Sequence, residues 1–370
     1  MKFRIRTSHA FRSNVALIAL LAACAPEPER DRSNVIEAQL VRQTGLPRSD
    51  GTGLVFDAEW IGDSAIAVVL DPGTAVHVVR WNGKHRRIGS AGSGPGEFRG
   101  VSTVTASHDR IIAIDGVLRR ASLWDTTGKM LGEIALPLTL IGDAWSTDSG
   151  PIVRSHTRFA SRILLSRVDF ASRSLQQLRS IDISLPLPDR SCQYCKIGLG
   201  PDLYTAQAVS SDSLYLIRRR NADGSELPSI DRGVYPLVVT TSRERDSVDA
   251  FQKREIARYS SNPLVARSLE EAFESFPPKK QKRLFVSAPY VDEQHRVWIQ
   301  RSTSAGADAE IDVLGPDGTL EMIIRLPPGV RLLGVRRNTM LVVHGSEDGD
   351  GAISEYLAPL DNRSASRPTS

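Results

Sequence analysis

The chain has 370 residues, enough for a large hydrophobic core, and carries 47 Lys and Arg residues against 43 Asp and Glu residues. Four of the basic residues, and no acidic one, precede Cys24, so the two signs balance at 43 each from there on. The apparent pI near 9.0 therefore comes from the first residues. A balanced chain lacks the positive surface that nucleic-acid binding requires, and we interpret the basic clusters 218–220 and 279–283 as solvated surface.

The first 23 residues have the pattern of an export signal. A basic start precedes the apolar run Val15–Ala23, which is too short to cross a hydrocarbon layer of ~30 Å as a helix. The segment that ends this run, Leu21-Ala22-Ala23-Cys24, resembles the lipobox of bacterial lipoproteins. The resemblance implies cleavage before Cys24 and acyl chains on that residue, which would anchor the chain in the cell envelope. Ala25 stands where many inner-membrane lipoproteins have aspartate, which favours the outer membrane.

Composition divides the remaining chain into three parts. Residues 24–34 are rich in Pro, Glu, Arg and Asp and predict a flexible tether. Residues 35–362 form the folded domain, and residues 363–370 have the polar composition of a disordered tail. Most of the domain alternates apolar and polar residues in short runs bounded by Gly, Asp, Asn and Pro, which predicts β-strands. The exception is a helical insertion at about 245–285, where apolar residues recur at helical spacing.

The strand pattern repeats with a period typical of a β-propeller. Each unit has four short strands, and a tight turn follows the third. These turns are placed near Gly83, Gly128, Ser172, Gly224, Gly318 and Asn362. The interval between the turns at Gly224 and Gly318 is about twice as long as the others. It contains the helical insertion, and without that insertion it has about the length of one blade. The sequence therefore predicts an all-β fold, a six-bladed β-propeller with a helical insertion, closed by residues 36–41 as the outer strand of the last blade.

Two segments carry a resemblance to a known class of propeller. The linker Gly92-Ser93-Gly94-Pro95-Gly96-Glu97-Phe98 is similar to the linker between blades of NHL-like and six-bladed propeller proteins. Leu314-Gly315-Pro316-Asp317-Gly318-Thr319-Leu320 resembles the third strand, turn and outer strand of such a blade. The resemblance covers about residues 50–360 and implies a ring of blades around a central channel.

Four acidic residues are the candidates for chemistry in that channel. Asp57 and Glu59 lie on the predicted innermost strand of the first blade, where side chains reach the axis. Asp71 and Asp115 end equivalent second strands. In one interpretation, these two residues belong to a ring of carboxylates that binds a cation. In the other, which we favour, each aspartate accepts hydrogen bonds from the backbone of its own turn. No catalytic or metal-binding motif is recognised, so catalytic residues and metal ligands stay unassigned and no cofactor is predicted.

The two remaining cysteines are close in sequence, in Cys192-Gln193-Tyr194-Cys195. In an exported protein we expect a local disulfide between Cys192 and Cys195. A zinc site would need two further ligands, and covalent haem usually needs a histidine where Lys196 stands. A redox-labile pair is the remaining alternative.

Three functions remain open at this stage. The first is a membrane-anchored binding module for a peptide, glycan or partner protein. The second is a metal-dependent propeller hydrolase similar to lactonases or strictosidine synthase, in which a channel Ca²⁺ would be the cofactor. Asp57-Ala58-Glu59-Trp60 lacks the Glu-Gly-Pro start typical of the lactonases. The third is a structural subunit of an outer-membrane assembly.

Overall fold

Within the described residues, short strands separated by tight turns form six large sheets, each built on four antiparallel strands, and one two-stranded sheet. The computed structural model describes residues 35–47, 54–107, 109–137, 140–147, 149–156, 162–182, 196–209, 213–258, 260, 263–275, 281–282, 284–345 and 351–359. The first strand of each sheet contacts first strands of neighbouring sheets and lines a central cavity. The sheets are therefore the blades of a six-bladed β-propeller with a helical insertion, which confirms the predicted fold class.

The blades follow one another in chain order, and each runs from its innermost to its outermost strand. Blade 1 comprises Val55–Ile61, Ala65–Leu70, Val76–Arg80 and His85–Ile88. Blade 2 comprises Val101–Ser107, Arg110–Asp115, Arg120–Asp125 and Met130–Ala135. Blade 3 comprises Leu140–Trp145, Ile152–His156, Arg162–Asp169 and Ser174–Asp182. Between blades 1 and 2, the predicted linker contains a small parallel pair, Ser90–Ala91 with Glu97–Phe98.

The second half of the ring is built in the same way. Blade 4 comprises Lys196–Leu199, Thr205–Ala208, Leu214–Arg220 and Glu226–Val234, with a short 3-10 turn at Pro201–Leu203. Blade 5 comprises Tyr290–Val291, Val297–Arg301, Ala309–Leu314 and Leu320–Leu326. Blade 6 comprises Val330–Arg336, Thr339–His344, Ala352–Leu357 and, as its outermost strand, the N-terminal segment Gln39–Gly45.

The N-terminal segment closes the ring across two blades. Gln39–Gly45 pairs antiparallel with Ala352–Leu357, as the predicted closure requires. The strand boundary differs from the prediction, because Val35–Glu37 instead pairs in parallel with Leu320–Leu326 of blade 5. That pairing packs Ile36 against the core between blades 5 and 6. Both strands remove hydrogen-bonding groups from exposed sheet edges, and closure of this kind protects a propeller from association through its edges.

The middle strands of the blades are apolar on both faces because each blade packs between two others. All six residues of Ala65–Leu70 are buried, as are all five of Val297–Arg301. The first of these strands is apolar throughout, as expected for a sheet covered on both sides, whereas the second ends in the buried polar residues Gln300 and Arg301. The six clusters of buried apolar residues account for most of the core.

The helical insertion between blades 4 and 5 is a pair of helices, α1 (Ser242–Arg258) and α2 (Pro263–Ser275). A capping box starts α1: Glu244 accepts a hydrogen bond from the Thr241 N–H (2.8 Å), and the Thr241 hydroxyl accepts one from the Glu244 N–H (3.2 Å). Lys282 ties the insertion's end to its beginning through an ion pair with Glu244 (2.6 Å). Within the described residues, no helix is long and apolar enough to cross a membrane.

The turns between third and outermost strands repeat one design. In four blades an aspartate accepts a hydrogen bond from a backbone N–H two residues later: Asp125, Asp169, Asp223 and Asp317. Glycines at four of the predicted turn positions, Gly83, Gly128, Gly224 and Gly318, have φ between 82° and 92°. The turn of blade 3 has Ser172 at that position, and its left-handed residue is instead Arg173, with φ of 52°.

Arginines connect these turns to the preceding blade. Arg86 on the outermost strand of blade 1 donates to the Thr127 carbonyl, and Arg179 of blade 3 donates to the Asn221 carbonyl at 2.8 Å. Arg219 of blade 4 donates to the Pro316 carbonyl at 2.6 Å. Arg219 and Arg220 are only 3% and 8% exposed, so interpreting the cluster 218–220 as solvated surface was wrong for these two residues. Arg219 connects blade 4 to blade 5 through its hydrogen bond to the Pro316 carbonyl, and Arg220 forms an ion pair with Glu226 within blade 4.

Candidate functional site

The innermost strands enclose a cavity of about 840 Å³ at the centre of the ring, and all six blades contribute to its lining. Six acidic residues of the described chain line it: Asp57 and Glu59 of blade 1, Asp143 of blade 3, Asp202 of blade 4, and Asp292 and Glu293 beside the innermost strand of blade 5. Tyr290 of blade 5 and Arg336 of blade 6 are further ionisable residues of the lining. The structure thus places the two predicted innermost-strand candidates, Asp57 and Glu59, in the channel.

Asp57 is held between blades 1 and 2. A β-bulge between Val55 and Asp57 interrupts the pairing of the innermost strand, and bulges of this kind redirect side chains. Its Oδ2 accepts a hydrogen bond from the Val104 N–H of blade 2, and its Oδ1 accepts one from the Ala58 N–H, both at 3.0 Å. Burial, with a smaller contribution from the nearby carboxylates of Glu59 and Asp143, raises the pKa of Asp57 to about 8, against the opposing effect of those two hydrogen bonds.

Glu59 lies two residues further along the same strand and therefore on the same face. Its Oε1 accepts a hydrogen bond from the Trp60 N–H at 2.9 Å. Burial raises the pKa of Glu59 to about 7, while that hydrogen bond and the positive charge of Arg336 oppose the rise. Both side chains are half-buried, because they line the channel and keep part of their surface accessible to solvent.

Asp143 and Tyr290 face the same space from other blades. Asp143 also lies at an irregularity of its innermost strand, and it forms an ion pair with Arg154 at 3.0 Å. The Tyr290 hydroxyl donates to the Leu332 carbonyl at 3.4 Å. Burial raises the pKa of Tyr290 well above its usual range, and the negative charges of Asp57, Asp143 and Glu59 add to that rise. The phenol therefore stays protonated at neutral pH.

Glycines let the backbones around the channel approach closely. A Cβ on Gly198 of blade 4 would overlap the carbonyl group of Pro289, whose carbon would lie 2.9 Å away. A Cβ on Gly334 of blade 6 would lie 2.9 Å from the Trp60 ring. On its other side, Trp60 donates its indole N–H to Glu355 at 3.2 Å and lies 5.0 Å from the Arg336 guanidinium. These contacts fix the wall beside Glu59.

Asp71 and Asp115 lie away from the cavity lining, at the ends of second strands. Asp115 is fully buried and accepts backbone hydrogen bonds in its own turn and linker, from Arg99, Gly100, Val117 and Leu118. Asp71 is 2% exposed at the corresponding place in blade 1. The structure does not bring these two residues together with Asp57 and Glu59, and the contacts of Asp115 are those of a turn residue.

Cys24, Cys192 and Cys195 lie outside the described residues. Within the described parts of the chain, no three His, Cys, Asp or Glu side chains are grouped so that they could hold a metal ion.

Sequence reasoning missed Asp143, Tyr290 and Arg167 as residues of the channel wall. A signal for Asp143 was present, because Asp143-Ala144-Trp145 in blade 3 corresponds to Asp57-Ala58-Glu59-Trp60 in blade 1. Aligning the repeats on their innermost strands would have paired the two aspartates. Tyr290 has no such signal, because it lies on an innermost strand of only two residues.

Comparisons with known proteins give a distant likeness of fold. No family model and no curated protein matches the sequence. Selenomethionine-substituted virginiamycin B lyase from Staphylococcus aureus is similar in structure, with a TM-score of 0.45 and 12% identity over 86% of this chain and 99% of that one. A catalytically inactive variant of that lyase with quinupristin has a TM-score of 0.43 and 11% identity over 85% and 83% of the two chains. Both neighbours are propellers, and nothing about the chemistry of this chain follows from them.

Proposed function

We propose that the chain is a binding module whose central channel receives a positively charged group of its ligand at Asp57 and Glu59. The environment of Asp57 supports this proposal. Asp57 faces the cavity beside two other carboxyl groups, and it forms no ion pair within the described part of the chain. An ionised carboxylate is costly to bury without a counter-ion, which is why its pKa is raised. A cationic ligand would supply that counter-ion.

The same environment makes binding depend on pH. Without ligand, Asp57 keeps its proton up to about pH 8, and Glu59 keeps its proton up to about pH 7. A bound ammonium or guanidinium group favours the ionised carboxylates and lowers both pKa values. Binding at pH 7 is therefore expected to release protons, and affinity is expected to rise between pH 6 and pH 8.

Two peptides of equal size test the charge requirement. Acetyl-Gly-Lys-Gly-amide and acetyl-Gly-Gln-Gly-amide are titrated into the purified chain by calorimetry at pH 7, in phosphate and in Tris buffer. We expect the lysine peptide to bind at least tenfold more tightly, with an apparent enthalpy that differs between buffers because protons are released. Asp57→Asn should remove the preference, while Asp308→Asn, at an exposed position outside the cavity, should keep it. Equal affinity for both peptides, or a preference that survives Asp57→Asn, would overturn the proposal.

Acid–base catalysis is the second function that a specific observation favours. Carboxyl groups with pKa values near 7 and 8 can exchange protons with a substrate at neutral pH, as general acids and bases do. The metal-dependent hydrolases considered from the sequence would add Ca²⁺ to this channel. Titration with Ca²⁺ and a screen of lactone substrates separate these functions from simple binding. Stoichiometric Ca²⁺ binding, or turnover that Asp57→Asn abolishes, would favour the enzyme.

The membrane anchor at Cys24 and the location in the outer membrane are part of the same proposal. They depend on the lipobox resemblance and the leader pattern. Replacement of Cys24 by serine should move the protein from the membrane fraction to the soluble fraction, and retention in the membrane would contradict lipidation. Mass spectrometry of non-reduced peptides tests the disulfide proposed between Cys192 and Cys195.

A further inference from the structure

A second cavity lies beside the channel, between blades 2 and 3. It has a volume of about 720 Å³ and shares part of its lining with the channel: Ser146, Thr147, Ser149 and Arg167. Its apolar lining comes from both blades and consists of Ile112, Leu123, Val168 and Phe170. We call this cavity the blade 2–3 cleft. Arg167 therefore lies on the wall that the two cavities share.

Arg167 provides the positive charge where the cavities meet. Its Nη2 donates to the Ser149 hydroxyl at 3.0 Å, and its Nη1 donates to the Gln176 side-chain carbonyl at 3.2 Å. Both acceptors are neutral, and Arg167 has no carboxylate partner among the described residues. Its Nε–H is buried and has no acceptor there. Buried donors are rarely left without a partner in native proteins, so the hydrogen-bonding capacity of this guanidinium group is incompletely satisfied.

The hydroxyl of Ser146 gives a second observation at the same place. Its Oγ is buried and has no hydrogen-bond partner in the described structure. Ser146 and Arg167 both line the channel and the cleft, so the two unsatisfied groups lie along one wall. The guanidinium group presents several N–H donors in a plane and matches the two oxygens of a carboxylate.

The other charged groups of the cleft leave room for such an anion. Arg110 adds a second positive charge and is only loosely paired with Asp109, at 3.9 Å. Asp169 is the one acidic residue among the described lining residues of the cleft. Its carboxylate is engaged by its own turn, through the N–H groups of Ala171 and Ser172 and the Ser172 hydroxyl.

We infer that the blade 2–3 cleft is a carboxylate subsite at Arg167, which binds the negative end of the ligand whose positive group lies at Asp57. This inference rests on the proposed function and narrows the ligand class to zwitterions, such as a short peptide with a lysine side chain and a free C-terminus. The carboxyl groups of blade 1, which ionise when the cationic group binds, and the positive charge of Arg167 then select the orientation of the ligand.

A peptide series tests the inference. Acetyl-Lys followed by one to four glycines is prepared with a C-terminal carboxylate and with a C-terminal amide, and each is titrated into the purified chain. At the spacer length that matches the distance between the two sites, we expect the acid to bind about tenfold more tightly than the amide. Arg167→Gln should make the acid and the amide bind equally tightly, Arg167→Lys should keep part of the difference, and Arg87→Gln, exposed on blade 1, should keep all of it. Equal affinity of acid and amide at every length, or a gain that survives Arg167→Gln, overturns the inference.

A probe that does not use the channel separates failure of the inference from failure of the proposed function. Acetate is titrated into protein with ¹⁵N-labelled arginine, and the arginine Nε–H resonances are followed by NMR. Arg167→Gln identifies the Arg167 resonance, which should move on addition of acetate. If it moves while no lysine peptide binds, the channel proposal is wrong and the anion site is supported. If it does not move, the carboxylate subsite is wrong whatever the peptides do.

Discussion

Replacing Asp57 by asparagine changes how stability depends on pH. Asparagine has nearly the same shape and keeps an oxygen that can accept a backbone hydrogen bond from Val104 or Ala58, but it cannot ionise. In the wild type, the folded state holds the Asp57 proton up to about pH 8, whereas the unfolded chain releases it near the ordinary value of 3.8. Between these values the folded state binds more protons, so its stability falls as the pH rises.

The size of the effect follows from the shift in pKa. Each unit corresponds to about 1.4 kcal/mol, so a rise from 3.8 to about 8 sets an upper limit of roughly 6 kcal/mol. Because Asp57 keeps part of its surface in the channel, solvent screens its charge and a smaller effect is expected. We predict that the free energy of unfolding of Asp57→Asn, relative to that of the wild type, rises by about 2 kcal/mol from pH 4 to pH 9. This rise should be complete above pH 8.

Urea unfolding at pH 4, 5, 6, 7, 8 and 9 measures this difference directly. The wild-type free energy of unfolding should fall across the series, and the difference between variant and wild type should grow steadily up to pH 8. Some pH dependence should remain in the variant, because Glu59 also has a raised pKa. If the two proteins lose stability in parallel, Asp57 does not hold a proton in the folded state and the reasoning about the channel fails.

Three further predictions concern the packing that builds the channel and its turns, and each is measured by urea unfolding. Gly198→Ala should cost about 2 kcal/mol because its Cβ overlaps the Pro289 carbonyl, while Gly45→Ala, with nothing within 4 Å, should cost much less; equal costs would contradict this. Arg219→Met should cost about 3 kcal/mol because carbonyls at the blade 4–5 boundary lose their donor, and a cost below about 0.5 kcal/mol would show that Arg219 does not join the blades. Arg173→Gly should stabilise by about 0.5 kcal/mol because glycine adopts a φ of 52° without steric cost, and destabilisation would refute that account.

The repeat could be predicted because its turns are local in sequence. An Asn-Gly or Asp-Gly pair needs no distant contact to form a turn, so the positions of Gly83 and Gly318 indicated the ends of third strands. Blade 3 lacked this signal because Arg173 adopts the left-handed conformation that glycine adopts elsewhere. The division of the N-terminal segment was also missed, because Ile36 is buried by a parallel pairing with blade 5 that alternation alone does not specify.

The candidate site was predicted only in part because its geometry depends on irregular strands. We predicted Asp57 as a channel residue because its segment has the pattern of an innermost strand. The sequence pattern did not indicate the bulge beside it, which redirects the side chain. Asp143 lies in a similar irregularity, where counting alternate residues assigns side chains to the wrong face. Arg167 belongs to a third strand, so a search confined to innermost strands does not find it, although it lines the channel.

The N-terminal closing strand also sets an order of events during synthesis. Gln39–Gly45 leaves the ribosome early, but its partner Ala352–Leu357 is made roughly 300 residues later. At about 5–20 residues per second, this early strand waits on the order of 15–60 s for its place in the sheet. During that time, blades 1 to 5 can form one after another while the ring stays open. The last blade therefore has to capture a strand from the other end of the chain, and the ring cannot close before Ala352–Leu357 has been made.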